Sequence, residues 1–394
     1  MTATKRRECY VVVAPGLEEI VSAEMRGIGL KPLASEPGGV SFQGTDAQLF
    51  VANLHLRSAS RVIARVTEFR ATAFHELETR CGGVPWEEFL EKGSAIRLRV
   101  TCHKSRLYHS DAVAQRVSGA IAKHVRGVTA ARSARANDDA KDVDEEGKEP
   151  SPLNPAQLFI VRFNRDICTI SADSSGDLLH RRGYRKATAK APLRETLAAA
   201  SLLALHWDGS QPLLDPMCGA GTIAIEAALI ARRIAPGIHR AFACERWPGV
   251  NTSAFRAARE AAREHERPAA PAPIVASDRD AGAIAAGRAN AERAGVASDI
   301  VFSERALSAL ETPPGPGLLL TNPPYGARVG ESKDLRNLYA QVGNVARAQL
   351  DGWTVALLSA DRALDSQAKL PFEEVLKFRN GGIAVRLLSA RANR

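Results

Sequence analysis

From about residue 191 onward, short apolar runs alternate with Ala-rich helical stretches, and that alternation leaves few folds open. The runs are Leu213-Leu-Asp, Ala241-Phe-Ala-Cys, Ile274-Val-Ala-Ser-Asp, Ile300-Val-Phe, Gly317-Leu-Leu-Leu-Thr, Trp353-Thr-Val-Ala-Leu-Leu-Ser and Ile383-Ala-Val-Arg-Leu-Leu. Continuous apolar runs of this length suit strands covered on both faces, as in a parallel sheet packed between helices. The order predicts an α/β domain over residues 191–394, a doubly wound sheet with these seven runs as its parallel strands. No internal repeat or heptad run competes with it.

The front of the chain has a different rhythm. Tyr10-Val-Val-Val is strand-like, and Pro15-Gly16 leads into a helix with Leu17, Ile20, Val21 and Met25 on one face. Gly38-Gly39 turns into the strand Val40-Ser-Phe-Gln, and a helix from about Asp46 carries Leu49, Phe50 and Leu54. Arg61-Val-Ile-Ala-Arg-Val-Thr-Glu-Phe alternates like a strand. The β-α-β-β-α-β order predicts a ferredoxin-like domain over residues 1–69. A second α+β unit is predicted over 70–172. It has a short helix from Val84-Pro85-Trp86, an alternating strand Ala95-Ile-Arg-Leu-Arg-Val-Thr, and a helix capped by Ser110-Asp111 with Val113, Val117, Ile121 and Val125 inward. Strands at Leu158-Phe-Ile-Val-Arg-Phe and Ile167-Cys-Thr-Ile-Ser complete it. Residues 126–155 carry almost no apolar periodicity and an acidic centre, Asp138-Asp139 and Asp144-Glu145-Glu146. They are expected to form a mobile surface insertion, with an RNA-grasping loop as the functional alternative. Residues 173–190 are expected to be a basic linker.

A net charge of +9 over 394 residues leans towards an anionic partner without separating RNA, DNA and membrane. The start, Met1 to Tyr10, is neither a signal peptide nor a membrane span. Cys9, Cys81, Cys102, Cys168, Cys218 and Cys244 form no CxxC and no framework spacing. They are expected to be reduced thiols in a cytoplasmic protein without a metal site.

Two loops carry the chemistry. The first is Asp215-Pro216-Met217-Cys218-Gly219-Ala220-Gly221-Thr222, between Leu213-Leu and the helix Ile223-Ala-Ile-Glu-Ala-Ala-Leu-Ile. Such a turn exposes N–H groups at the positive end of a helix, where a ligand carboxylate is favoured. Gly219 and Gly221 let a ligand approach the backbone closely, and Asp215 is placed to bind an ammonium. No Gly-Lys-Ser/Thr follows, so this is not a P-loop, nor is it GxGxxG. Asp278 ends the next strand but one, where an acid can accept both hydroxyls of a ribose. Capping the helix that begins near Ala281 is its alternative role.

The second loop is Asn322-Pro323-Pro324-Tyr325-Gly326. An exocyclic base amine is a poor nucleophile because its lone pair is delocalised into the ring. Acceptors aimed at its N–H bonds favour a pyramidal nitrogen and stabilise the positive charge that develops on it. Asn322 Oδ1 and a carbonyl of the Pro323–Pro324 turn can be those acceptors, held in place by the prolines. Tyr325 can stack on the base, and Gly326 leaves room for it.

From residue 191 the chain resembles the class I N6-adenine/N2-guanine methyltransferases, and over nearly its whole length it resembles THUMP-domain RNA methyltransferases. Lys104-Ser105-Arg106 before a helix, Asp173-Ser-Ser-Gly-Asp-Leu-Leu-His-Arg-Arg-Gly-Tyr-Arg and Ala191-Pro-Leu-Arg-Glu-Thr-Leu-Ala-Ala-Ala extend the likeness upstream. It is most similar to the bacterial enzymes that form N2-methylguanosine in 23S rRNA, and next to tRNA N2-guanine methyltransferases. The resemblance implies S-adenosyl-L-methionine (SAM) held by Asp215, Pro216, Cys218, Gly219, Gly221, Thr222, Asp278, Glu304 and Asn322. It implies catalysis by Asn322, Pro323, Pro324 and Tyr325, a THUMP domain in residues 70–172, and an rRNA or tRNA partner for a monomer. One departure stands out: Ala306 occupies the place of an Asp that binds the adenine amine, with Glu304 nearby. Lys104 and Arg106, with His109, are RNA-contact candidates on the strength of the family. His180, Arg181, Arg182, Arg185 and Lys186 suit phosphates, or equally form a solvated linker or an interdomain ion-pair cluster. Adenine-N6 methylation and a non-catalytic RNA-binding assembly factor are the competing functions.

Overall fold

The computed structural model describes residues 6–130, 156–186, 193–324, 332–380 and 382–392. Its first unit opens with β1 (Arg6–Val12), α1 (Glu18–Gly27), β2 (Pro32–Glu36), β3 (Gly39–Thr45), α2 (Asp46–His55) and β4 (Arg61–Arg70). The strands lie in the order β2-β3-β1-β4, all antiparallel, which is the expected ferredoxin-like arrangement. Alternation drives it: Cys9 and Val11 of β1 point into the core with Val21 and Met25 of α1 and Leu49 and Phe50 of α2. Thr45 closes the start of α2 through a capping box with Gln48.

The chain continues through α3 (Phe74–Gly82), β5 (Ala95–His103), α4 (Ser110–His124), β6 (Thr129–Ala130), β7 (Gln157–Asn164) and β8 (Ile167–Asp173). The division expected at residue 69 falls inside one eight-stranded sheet, because the free edge of β4 pairs with β8. β4 has ten residues and uses only four of them on β1, so its second edge extends the sheet instead of ending it. Helix α3 is not anticipated in the sequence reading; it buries Leu77 and Cys81, with Phe74 packed beside them. The cap expected from Ser110-Asp111 does not form: His109 is the N-cap and no side-chain oxygen serves the first turn of α4. The predicted insertion lies outside the described residues from 131 to 155.

The second unit comprises α5 (Glu195–Ala204), β9 (Leu213–Asp215), α6 (Thr222–Ala231), α7 (Thr252–Glu264), β10 (Ile274–Asp278), α8 (Ala281–Arg293), β11 (Ile300–Glu304), β12 (Leu318–Thr321), α9 (Ser332–Gln349), β13 (Thr354–Ser359), α10 (Arg362–Asp365), β14 (Glu373–Asn380) and β15 (Ile383–Arg391). The seven-stranded sheet runs β11-β10-β9-β12-β13-β15-β14. Its first five strands are parallel, as expected. The 383–388 run is not: β15 is antiparallel to both β13 and β14. A short hairpin sets that direction: β14 forms the edge and β15 turns back between it and β13. β14 itself is largely polar and exposed, as an edge strand should be.

The run Ala241-Phe-Ala-Cys is not a strand either. It leads into a single 3-10 turn, Ala243–Arg246, and faces the first unit rather than the sheet. Phe242 meets Phe50 edge-on at 5.6 Å, and Phe50 stacks on Phe255 of α7 at 4.4 Å. Cys244 N–H donates to the Ser174 carbonyl, and Trp247 Nε1 donates to Gln157. Burying each such ring contributes roughly 1.5–3 kcal/mol, so the two units share a core instead of swinging on a hinge.

Candidate active site

β9 and β12 are parallel neighbours, yet the chain leaves them in opposite directions, towards β10 and β11 on one side and β13 on the other. Such a switch point opens a crevice outside the carboxyl ends of the strands. Asp215 ends β9, Asp278 ends β10, Glu304 ends β11 beside it, and Asn322 follows β12. Residues up to 107 positions apart in sequence are thus gathered along one sheet edge, since Asp215 and Asn322 leave adjacent strands.

Asp215 is buried and accepts a hydrogen bond from Thr321 Oγ1 at 2.9 Å. Burial pushes its carboxyl up to about 7, against the opposing effects of the Thr321 and Met217 hydrogen bonds. Asn322 Oδ1 is buried and has no hydrogen-bond partner among the described residues. An orphaned acceptor of this kind costs about 1–3 kcal/mol and asks for a ligand donor. Pro323 is buried and Pro324 half-buried, fixing the turn after Asn322. Tyr325 and Gly326 lie outside the described residues.

The glycine loop is partly self-satisfied. Gly219 N–H donates to Asp278 Oδ2 at 2.9 Å, Gly221 N–H to the Cys218 carbonyl at 2.9 Å, and Cys218 N–H to the Ser277 carbonyl at 3.0 Å. The donors that remain for an anion are those of the first turn of α6, which no intrahelical carbonyl serves. Pro216 and Cys218 are buried beneath the loop, and burial pushes the Cys218 thiol far up. The Thr222 hydroxyl accepts from Arg185 Nη2 at 2.8 Å.

The two glycines differ in kind. Both have positive φ, +50° at Gly219 and +82° at Gly221. A Cβ at Gly219 would meet nothing within 4 Å, so this residue faces open space that a ligand can fill. A Cβ at Gly221 would lie 3.2 Å from the Phe302 ring and 3.3 Å from Gly287 Cα. Gly221 therefore serves helix packing, not ligand approach. Gly221→Val is expected to destabilise the fold by about 2 kcal/mol or more, from left-handed strain plus overpacking. Gly219→Asn is expected to cost no more than about 1 kcal/mol, because Asn tolerates that backbone region. Chemical denaturation of both variants checks the contrast.

Asp278 is not the cap of α8. Asp280 holds that position, accepting from Gly282 and Ala283 N–H, while Asp278 Oδ1 accepts from Asp280 N–H. Glu304 is exposed next to it, and Ala306 is an exposed residue that offers no side-chain acceptor.

The basic residues divide sharply. Lys104, Arg106 and Lys186 are exposed, and Arg181 is partly exposed with Asp177 at 3.9 Å. His180, Arg182 and Arg185 are not available to phosphates. Arg182 is 3% exposed by side chain and reaches Glu226, the Leu179 carbonyl and the Arg57 carbonyl. Arg185 pairs with Glu195 at 3.3 Å and donates to the Leu193 carbonyl and Thr222. His180 is buried, and burial with the neighbouring Arg194, Arg181, Arg182 and Arg185 holds its imidazole well below its ordinary range. For Arg182 and Arg185 the ion-pair alternative is the correct one, and His180 is a buried imidazole among them. The reason is two buried carboxylates, Glu226 of α6, which Arg182 and Arg57 face, and Glu195 of α5, which Arg185 meets.

Two residues of the site went unrecognised in the sequence, Thr321 and Asn290. Asn290 is fully buried on α8, and its Nδ2 donates to the Ala220 carbonyl at 3.1 Å. Its signal was a lone Asn on the face that carries Ile284, Gly287 and Ala291. Among the described residues no cluster of His, Cys, Asp and Glu could hold a metal ion, and no helix is long and apolar enough to cross a membrane.

Comparison with known proteins bears on this crevice. A family model of the RMKL-like methyltransferase domain matches residues 182–388, and one of the RlmL ferredoxin-like domain matches residues 8–63. The Synechocystis sp. protein slr0064, assigned by name to the RNA methyltransferases, is 32% identical over 97% of this chain and 96% of its own length. The ribosomal RNA large subunit methyltransferase K/L of Syntrophotalea carbinolica is 34% identical over 96% of this chain, which spans only 53% of that protein. Among solved structures, the methyltransferase-like SMU.472 in complex with S-adenosylhomocysteine (SAH) is 28% identical, with a TM-score of 0.84 over 100% of both chains.

Proposed function

Because this chain belongs to the family of RMKL-like methyltransferases, we propose that it methylates the exocyclic N2 of a guanosine in RNA, with 23S rRNA the first candidate and tRNA the second. The observation that carries the reading is Asn322 Oδ1, a buried acceptor without a partner, one strand over from the buried carboxyl of Asp215. That pair suits a base amine on one side and the ammonium of an amino-acid moiety on the other.

SAM, when bound, supplies an electrophilic methyl group. The residues present fit it: Gly219 faces open space, Asp215 can take the ammonium, the first turn of α6 the carboxylate, and Asp278 the ribose hydroxyls. Glu304, next to Asp278, is the side chain nearest the adenine position that Ala306 leaves without an acceptor. The protein's own contribution to the reaction is the acceptor. Asn322 Oδ1 accepts a hydrogen bond from the attacking amine and draws it into line, and that bond strengthens as nitrogen becomes positive. The Pro323–Pro324 turn keeps Asn322 in place, so little reorganisation accompanies the step. Residues 1–190 would hold the RNA, with exposed Lys104 and Arg106 among the phosphate contacts.

Titration calorimetry with SAH tests the cofactor site: the wild-type chain binds, and folded Gly219→Asn does not. Binding that survives Gly219→Asn would move the ligand elsewhere. Nucleoside mass spectrometry on methylated RNA tests the product, expected to be N2-methylguanosine; N6-methyladenosine alone would overturn the base assignment.

The same titration has a pH dependence. The Asp215 carboxyl, at about 7 in the ligand-free chain, is protonated below that pH and offers the ammonium a neutral partner. The ligand's α-amino group, a free amino-acid ammonium, stays charged across that range. SAH affinity is therefore expected to fall as pH drops through 7, approaching about tenfold per unit below pH 6. Asp215→Asn should bind weakly at every pH, with a flat profile; an unchanged slope would acquit Asp215.

A further inference from the structure

We propose that Asn290 and Arg185 are positioning residues of the cofactor loop, and that through them residues 182–185 strap that loop to the amino-terminal unit. The proposal rests on the cofactor site assigned above.

The loop needs outside support. Gly219 and Gly221 both sit at positive φ, a region that glycine enters and leaves freely, so the loop has little conformational bias of its own. Besides its hydrogen bonds to Asp278 and Ser277, the structure grips it from two further sides. On one side Asn290 Nδ2 holds the carbonyl of Ala220, the residue between the glycines, at 3.1 Å. Asn290 Oδ1 accepts from the Arg293 guanidinium, and Arg293 Nε donates to the Tyr184 carbonyl at 2.7 Å. On the other side Arg185, next in sequence to Tyr184, holds Thr222 Oγ1 at 2.8 Å and the Leu193 carbonyl at 2.7 Å. Both grips lead back to one dipeptide, Tyr184-Arg185.

That dipeptide is itself anchored. The Tyr184 hydroxyl donates to Glu226 at 3.1 Å, and Arg182 donates to the Arg57 carbonyl. Arg57 in turn donates to the Ile234 carbonyl at 2.6 Å, and its N–H binds Glu24 of α1 at 2.7 Å. A continuous polar chain thus runs from α1 to the cofactor loop, buried at Arg182, Glu226, Tyr184 and Asn290 and reaching solvent at Arg293; its buried links are the ones that exchange least readily with water. Groups that fix a binding backbone from behind set affinity without touching the ligand.

The test uses the full-length chain, calorimetric titration with SAH, and steady-state methyl transfer. Asn290→Asp keeps the shape and the acceptor for Arg293 but removes the donor to Ala220. Arg185→Met removes the second grip, and Arg185→Lys keeps its charge with fewer directed donors. Asn290→Asp and Arg185→Met are expected to weaken SAH binding by roughly tenfold, the size of one lost directed hydrogen bond. KM for SAM should rise by the same factor, kcat should recover at saturating SAM, and KM for RNA should not move. Arg185→Lys should lie between. If Asn290→Asp does not fold, the Arg185 pair decides the matter alone. SAH affinity within about twofold of wild type in the folded variants would overturn the strap. So would a loss of kcat or RNA affinity with SAH binding intact. Failure of the wild-type chain to bind SAH would instead remove the cofactor site itself, and Gly219→Asn separates these cases by blocking the loop without touching either grip.

Discussion

Replacing Asn322 by alanine is expected to slow methyl transfer by about 100-fold or more while leaving SAH affinity within about twofold. The amide oxygen is buried without a partner among the described residues, so alanine removes no hydrogen bond that it makes to them. Removing it should leave stability unchanged or slightly higher, which separates a catalytic acceptor from a structural one. The loss should appear in single-turnover rates at saturating SAM and RNA, because the interaction strengthens only as charge develops on nitrogen. A single-turnover rate within about threefold of wild type would remove Asn322 from the mechanism.

What was legible in the sequence follows from what periodicity can report. Runs covered on both faces announced themselves at β9, β10, β12 and β13, and β11 also fell where its apolar run put it, although it is an edge strand with Val301 exposed. Leu213 and Leu214 are fully covered, as such runs require. Ala241-Phe-Ala-Cys has the same composition but is buried by another unit, and composition does not say which surface covers an apolar run. β14 failed in the opposite way: Glu373 to Asn380 is an edge strand with most of its side chains in solvent. The candidate site residues were visible as residue types leaving strands, and the structure brings Asp215, Asp278 and Asn322 together at the carboxyl ends of neighbouring strands. Roles set by orientation were not visible. Nothing in Gly-Ala-Gly says that Gly219 faces open space and Gly221 faces Phe302. Nor does the pattern His-Arg-Arg-Gly-Tyr-Arg say which of its cations turn inward, since that depends on Glu226, more than 40 positions further along the sequence.

That last point makes Arg182 the sharpest test of the fold. Arg182→Met is expected to destabilise the protein by about 3–5 kcal/mol, the cost of leaving a buried charge without its partner. Glu226 is wholly buried, its second carboxylate oxygen has no hydrogen bond among the described residues, and Tyr184 and the neighbouring Arg57 are what would remain among them to balance it. The Leu179 and Arg57 carbonyls would lose their donor as well. A double variant, Arg182→Met with Glu226→Leu, should regain much of the loss, because well-packed apolar side chains replace a buried pair at little net cost. If the segment instead bound phosphates, Arg182→Met would leave stability alone and flatten the salt dependence of RNA binding by about one charge. Denaturant unfolding of the two variants, beside RNA titrations at several salt concentrations, distinguishes the outcomes. The buried geometry requires the first: a large loss of stability with an unchanged salt slope. The arginines that look most like an RNA grip in the sequence then act as the joint between the two units, which leaves Lys104, Arg106 and Lys186 as the fully exposed cations of the candidate set.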